Sequence, residues 1–235
     1  QQLSDRLNRF PQGAPPSELL YRILELLLSE REAGLVAQLP IRPFDATQAA
    51  RIWKMRVAEA RVVLDGLASR AVLLDVETPD GTKYVLPPPM AGFFEFSMMR
   101  VRGDIDQKAL AQLFFEYLNV EDDFVRELFA RGETQLGRAF VNEDAVPDDD
   151  TLHVLDWERA SEVARTARHA AVGVCYCRHK MTHVGRACDA PLDICMTFGG
   201  TARYLVQHGY ARRADAADGL NLLQEARGRR LVQFG

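Results

Sequence analysis

The chain has 235 residues, 47% of them hydrophobic and 26% charged, with a formal net charge of −4. That length suits one large domain or two modest ones, and that apolar fraction supports a sizeable core. The charge excludes a global electrostatic pull toward nucleic acid or an anionic membrane, and no apolar run approaches the ~18 residues of a membrane-spanning helix.

The first 16 residues are polar and carry Pro and Gly, which predicts a loose lead-in. They contain no apolar stretch of the kind a secretory signal needs, so a cytoplasmic protein with reduced thiols is expected. The chain starts without Met and ends on LVQFG, from which a longer gene product is expected. The stretch SELLYRILELLLSE places Leu19, Leu20, Ile23, Leu24, Leu26 and Leu27 at helical spacing, with Ser17 as its N-cap. LPIRPF breaks that helix. A second begins at Asp45, whose Gln48 three residues later signals a capping box. A third follows on the stripe Val57, Ala60, Val63, Leu64 and Leu67. VLLDVETPDGTKYVLPPP then reads as two strands around a turn at Asp80-Gly81.

Helix, helix, helix, hairpin is the order of a winged helix-turn-helix, and residues 17–89 resemble that family. From MAGFFEFSMMR onward the chain is apolar and aromatic. Phe114, Phe115, Tyr117, Phe124, Leu128 and Phe129 are expected in the core rather than around a cofactor. NEDAVPDDD (142–150) predicts a surface loop. DWERASEVARTARHA predicts a helix capped by Asp156, and AVGV a short buried strand. Two further helices are expected after residue 200, the second capped by Asp215. The expected fold class is therefore mainly α with small β: a winged-helix-like module over 1–95, then a mostly helical cysteine-bearing domain over 96–235.

All four cysteines, Cys175, Cys177, Cys188 and Cys195, fall within residues 175–195. Four explanations compete: an iron–sulfur cluster, zinc, disulfides, or unlinked thiols. Disulfides fit poorly with a reducing compartment, and cysteines used only for packing are normally scattered. Zinc draws its four sulfurs to roughly 3.8 Å from one another. Here the first pair is Cys-x-Cys after an apolar strand, and residues i and i+2 of a strand share a side at about 6.6 Å. That spacing suits a cubane, in which each thiolate binds a different iron. Charge points the same way. No acidic residue lies between Glu162 and Asp189, whereas Arg165, Arg168, Arg178, Lys180 and Arg186 do. Nearby cations stabilise thiolates; a solvated basic face is the plainer alternative. His179 and His183 are substitute ligands, chiefly if the metal is zinc. Gly185 permits a tight turn, and Pro191 opens the segment that carries Cys195.

The segment VCYCRHKMTHVGRACDAPLDICMTFG resembles the bacterial 4Fe-4S ferredoxin-like, or 4Fe-4S-binding, proteins. Their pattern is Cys-x-Cys-Arg, a spacer, then Cys-x-x-Pro-x-x-x-Cys, and it meets Cys175, Cys177, Arg178, Cys188, Pro191 and Cys195 here. The likeness extends through PPPMAGFFEFSMMR, TQLGRAF and GLNLLQEARGRRLVQ. Members often continue past the equivalent of LVQ into a second, cysteine-rich ferredoxin-like segment; the 235 residues stop before that point. The resemblance implies one [4Fe-4S] cluster on the four cysteines, with Arg178, Lys180, Arg186 and Pro191 around it. The expected role is electron transfer with a redox protein partner or complex subunit, rather than stand-alone catalysis. A homodimer is an alternative partnership. The competing functions are a cluster-sensing DNA-binding regulator and a zinc-stabilised scaffold, DNA being the less favoured partner.

Overall fold

Ser17, Ser29 and Asp45 each open a helix by accepting a backbone N–H with the side chain, which satisfies one of the donors a helix start leaves unpaired. The computed structural model describes residues 1–10, 12–129, 137, 139–146 and 159–234. Helix α1 (Gln2–Leu7) comes first, so the predicted loose lead-in is partly helical. Leu3 and Leu7 are buried, and the buried Arg6 guanidinium donates to the carbonyls of Leu39 (2.8 Å) and Pro40 (2.7 Å). Helix α2 (Glu18–Leu27) ends in extended backbone at Leu28, and α3 (Glu30–Val36) restarts at once. The reciprocal cap between Ser29 and Glu32 explains the restart, which the apolar periodicity alone does not signal.

Helix α4 (Ala46–Trp53) has the expected Asp45–Gln48 capping box; of the stripe expected on α5 (Val57–Ser69), Ala60, Leu64 and Leu67 are buried, Val63 is half-buried and Val57, in the first turn, is exposed. Strands β1 (Leu74–Thr78) and β2 (Gly81–Val85) pair antiparallel with Thr78 opposite Gly81. The loop is therefore Pro79-Asp80, one residue earlier than expected. Phe44, just before α4, bridges to Tyr84 on β2 through a reciprocal pair of backbone hydrogen bonds of 2.9 and 2.7 Å. The buried Tyr84 hydroxyl donates to Asp65 on α5 at 2.5 Å and ties the hairpin to that helix.

A π-helical turn (Pro89–Phe93) leads into the short α6 (Phe94–Phe96). Helix α7 (Gln107–Phe115) continues as a second π-helical turn (Glu116–Val120), followed by α8 (Asp122–Phe129). Phe94, Phe114, Tyr117 and Phe124 are buried together, with ring centroids 5.1 Å apart for Phe94–Phe114 and 5.2 Å for Tyr117–Phe124. Phe115 is only half-buried, and the side chains of Leu128 and Phe129 lie outside the described residues. The structure is thus mainly helical with small sheets, as expected.

The chain divides into two interleaved units: Gln1–Thr134 with Tyr176–Cys188, and Gln135–Cys175 with Asp189–Gly235. The expected division at residue 95 does not coincide with this one. Phe94, Phe96, Met98 and Met99 span that point and are all buried within the first unit. Helix α9 (Ala160–Thr166) belongs to the second unit and α10 (Tyr176–His183) to the first. The predicted cap at Asp156 lies outside the described residues, as does most of TQLGRAF.

The second unit is built on a three-stranded antiparallel sheet with β3 (Ala170–Gly173) between β4 (Cys195–Phe198) and β5 (Ala211–Ala214). β3 is the expected buried strand; β4 and β5 are four residues each and too short to show a period. Helix α11 (Gly199–Gln207) follows β4. Helix α12 (Ala216–Gly228) is capped as expected by Asp215, which accepts the Asp218 N–H at 2.9 Å. Ala160 and Ala164 of α9, Leu223 of α12, and Met196 and Phe198 of β4 share one apolar cluster.

Candidate metal centre

The boundary between the units runs through the cysteine segment. Cys175 and Cys195 belong to the second unit, Cys177 and Cys188 to the first. None of the four is in a disulfide; Cys177 and Cys188 are exposed, the other two half-buried.

In the second unit, Cys195 opens β4 opposite Gly173, which in turn faces Ala211 on β5. Met196 and Phe198 pack into the α9–α12 cluster, so strand alternation assigns Cys195 to the other row of side chains, with Thr197. Its ladder partner is a glycine, and the next residue across the sheet is an alanine. Cys175 lies two residues beyond Gly173 and shares its parity. Its N–H donates to the Leu192 carbonyl at 2.6 Å, so pairing continues past the last formal rung. Gly173 meets Cys195 but Cys175 meets Leu192, which inserts one extra residue on the arm that Pro191 begins.

In the first unit, Cys177 sits in the first turn of α10. The predicted strand through Cys175 and Cys177 therefore ends sooner: β3 stops at Gly173 and α10 starts at Tyr176. The physical reason is that the helix can bury Tyr176, His179 and Lys180 along one side. Tyr176 packs edge-on against Phe114 of α7 with centroids 6.2 Å apart. His179 Nδ1 lies 2.7 Å from the Met98 carbonyl, which can only accept, so Nδ1 carries the proton. The Nε2 atoms of His179 and His183 lie 3.2 Å apart, within hydrogen-bond distance.

At its other end α10 closes with Gly185 at φ +71°. The Arg186 N–H reaches the Met181 carbonyl (2.9 Å) and the Gly185 N–H the Thr182 carbonyl (3.2 Å), the two bonds of a Schellman motif. The reversed chain brings Cys188 back beside α10. There the Arg178 guanidinium donates to Cys188 Sγ at 2.6 Å.

The predicted surrounding cations separate in this geometry. Arg178 is on a thiol. Lys180 is buried, donates to Asn119 Oδ1 at 2.6 Å and lies 5.5 Å from the Tyr176 ring centroid. Burial holds the Lys180 ammonium below its usual range, and Cys177 acts in the opposite direction. Arg186 stacks over Phe115 at 4.7 Å instead of turning to a thiol. Burial lowers His183, and His179 and Lys108 lower it further, against Asp106. Asn119 and Met98 are functional neighbours that sequence reasoning missed. They lie 61 and 81 residues from their partners, and no local pattern marks them.

The donor set is the one an iron–sulfur cluster takes: four cysteines, none in a disulfide. Among the described residues, no group of three or more His, Cys, Asp or Glu is gathered as a metal site; two of the cysteines lie in each unit. No protein-family model, no curated protein and no solved structure matches this chain.

Proposed function

We propose that the chain binds one [4Fe-4S] cluster through Cys175, Cys177, Cys188 and Cys195 and exchanges electrons with a protein partner. The observation that carries this reading is the Arg178 guanidinium on the exposed Cys188 thiol. A cation held against sulfur, in a stretch without a single acidic residue, complements the negative charge of a thiolate-bound metal centre. Two features support it. Cys177 lies at the positive end of α10, where backbone N–H groups favour negative charge. Cys195 pairs in the sheet with Gly173, whose partner on the next strand is Ala211, so small residues lie beside it in the ladder. Bound, the cluster supplies one-electron chemistry. The protein's own part is to hold the thiolates, set the charge beside them and govern solvent access. Among the described residues no helix is long and apolar enough to cross a membrane.

Iron, zinc and acid-labile sulfide analysis of anaerobically purified protein tests the reading. Iron and sulfide are expected at roughly 4:4 per chain, with broad visible absorption that bleaches on reduction. Cys177→Ser removes or destabilises the cluster and lowers folding yield, because metal binding and folding are coupled. Stoichiometric zinc without iron sinks the proposal.

A further inference from the structure

The second unit holds a cavity of about 500 Å³ that the metal reading does not use. Its volume falls within the roughly 300–1,000 Å³ of small-molecule sites. Arg168 and His169 enter it from the α9–β3 connection, Arg203 from α11 and Arg213 from β5. Between them the wall is made of small apolar groups, including the ladder partners Ala170 and Ala214.

Charge decides what this cavity takes. Its one acidic lining residue, Asp215, already spends a carboxylate oxygen on capping α12. Elsewhere in the same unit Arg165 is matched to Glu162, Arg212 to Asp218 and Arg227 to Glu143, while Arg229 and Arg230 at the end of α12 are not in an ion pair among the described residues. Arg168, Arg203 and Arg213 line the cavity, and among the described residues none of them is in an ion pair. A planar guanidinium presents paired donors that match phosphate or carboxylate oxygens. Three of them on three separate elements, around an uncharged floor, suit a ligand with several anionic oxygens at one end and an organic body at the other.

We infer that this cavity binds a phosphorylated small molecule of nucleotide size, its phosphates against Arg168, Arg203 and Arg213 and its organic body on the alanine floor. The site is separate from the thiols and does not depend on the metal reading. Calorimetric titration of the full chain with pyrophosphate and with ADP, both magnesium-free, tests it; iron content is measured on the same samples. Both probes bind more tightly than about 1 mM, ADP the tighter of the two. Arg203→Glu and Arg213→Glu each weaken both by at least about tenfold, with circular dichroism unchanged. Arg203→Gln, which removes the charge without reversing it, gives a smaller loss of the same sign. Absence of pyrophosphate binding overturns the proposal. So does ADP binding no tighter than pyrophosphate, or binding indifferent to the charge reversals. Each of these outcomes is independent of whether the thiols carry iron.

Discussion

Arg178 and Cys188 are ten positions apart in the chain and 2.6 Å apart between guanidinium nitrogen and sulfur. The contact exists because α10 presents Arg178 on its second residue after Tyr176 and the Gly185 turn folds the chain back. If Cys188 is a cluster ligand, Arg178 is a positive charge beside it, and such charge favours the reduced, more negative state. Arg178→Glu in fully loaded protein is expected to lower the reduction potential by tens of millivolts, against about 59 mV per tenfold for a one-electron couple. Arg178→Lys keeps most of the effect. A potential indifferent to Arg178→Glu, at unchanged iron content, removes Arg178 from the centre's surroundings.

Gly185 makes a separate test of the same loop. Its φ of +71° lies in the left-handed region, and a Cβ built there meets nothing within 4 Å. Any cost of Gly185→Ala is therefore backbone strain rather than a clash, about 1–2 kcal/mol. Gly185→Asn costs less, since Asn tolerates that region. Chemical denaturation should rank the three as wild type, Asn, Ala. Faster loss of bound iron from Gly185→Ala than from wild type would link the turn to the position of Cys188. Equal stability of all three variants contradicts the strain argument.

The caps and the cysteine cluster were legible in the sequence for different reasons. Ser17, Asp45 with Gln48, and Asp215 act within one helical turn of their targets, so local reading finds them. The four cysteines and Arg178 are marked by their spacing alone. What spacing cannot show is the long-range partner: Arg6 with the carbonyls of Leu39 and Pro40, Lys180 with Asn119, His179 with Met98. Nor did it show that Cys177 begins a helix. The strand expectation came from AVGV, whereas the outcome is set by Tyr176 and His179 packing in the first unit.

Asp104 gives a pH test of the first unit. Arg102, whose side chain is 3% exposed, grips it with two parallel bonds, Nε at 2.8 Å and NH2 at 2.5 Å. The hydrogen bond and charge of Arg102 lower the Asp104 carboxyl from 3.8 to about 2. A carboxyl lowered by folding stabilises the fold above its unfolded value and loses that contribution as pH falls through the folded one. Asp104 is 48% exposed, so solvent screening limits the gain to about 1 kcal/mol. Wild type should therefore exceed Asp104→Asn in stability by a constant amount above about pH 4. The gap closes toward pH 2, and urea titrations at stepped pH would show it. A gap that persists unchanged to pH 2 means the pair contributes no linked ionisation.

The last prediction concerns the N-terminal helices and hairpin, which we expect to meet protein rather than DNA. Phosphate neutralisation supplies most non-specific DNA affinity, so a DNA reader needs free positive charge on the face it presents. Residues 1–95 hold 11 Lys/Arg against 12 Asp/Glu. In the hairpin, Lys83 is the single cation, and its ammonium is bound to Asp45 at 2.9 Å. On α5, the Arg56 guanidinium is bound to Glu59, the first acid of the same helix. Arg51, Lys54 and Arg61 remain, on two different helices and with Asp65 on the same α5. Gel-shift titration with mixed genomic DNA at about 150 mM salt should therefore show no complex, the Debye length there being about 8 Å. Any binding at low salt should have a log–log salt slope shallower than about −2, the signature of few phosphate contacts. Light scattering should instead find a dimer, or a hetero-complex once the redox partner is added. Sequence-selective binding that survives physiological salt and is lost in Arg51→Ala or Arg61→Ala would reverse this assignment and make the centre a sensor coupled to DNA.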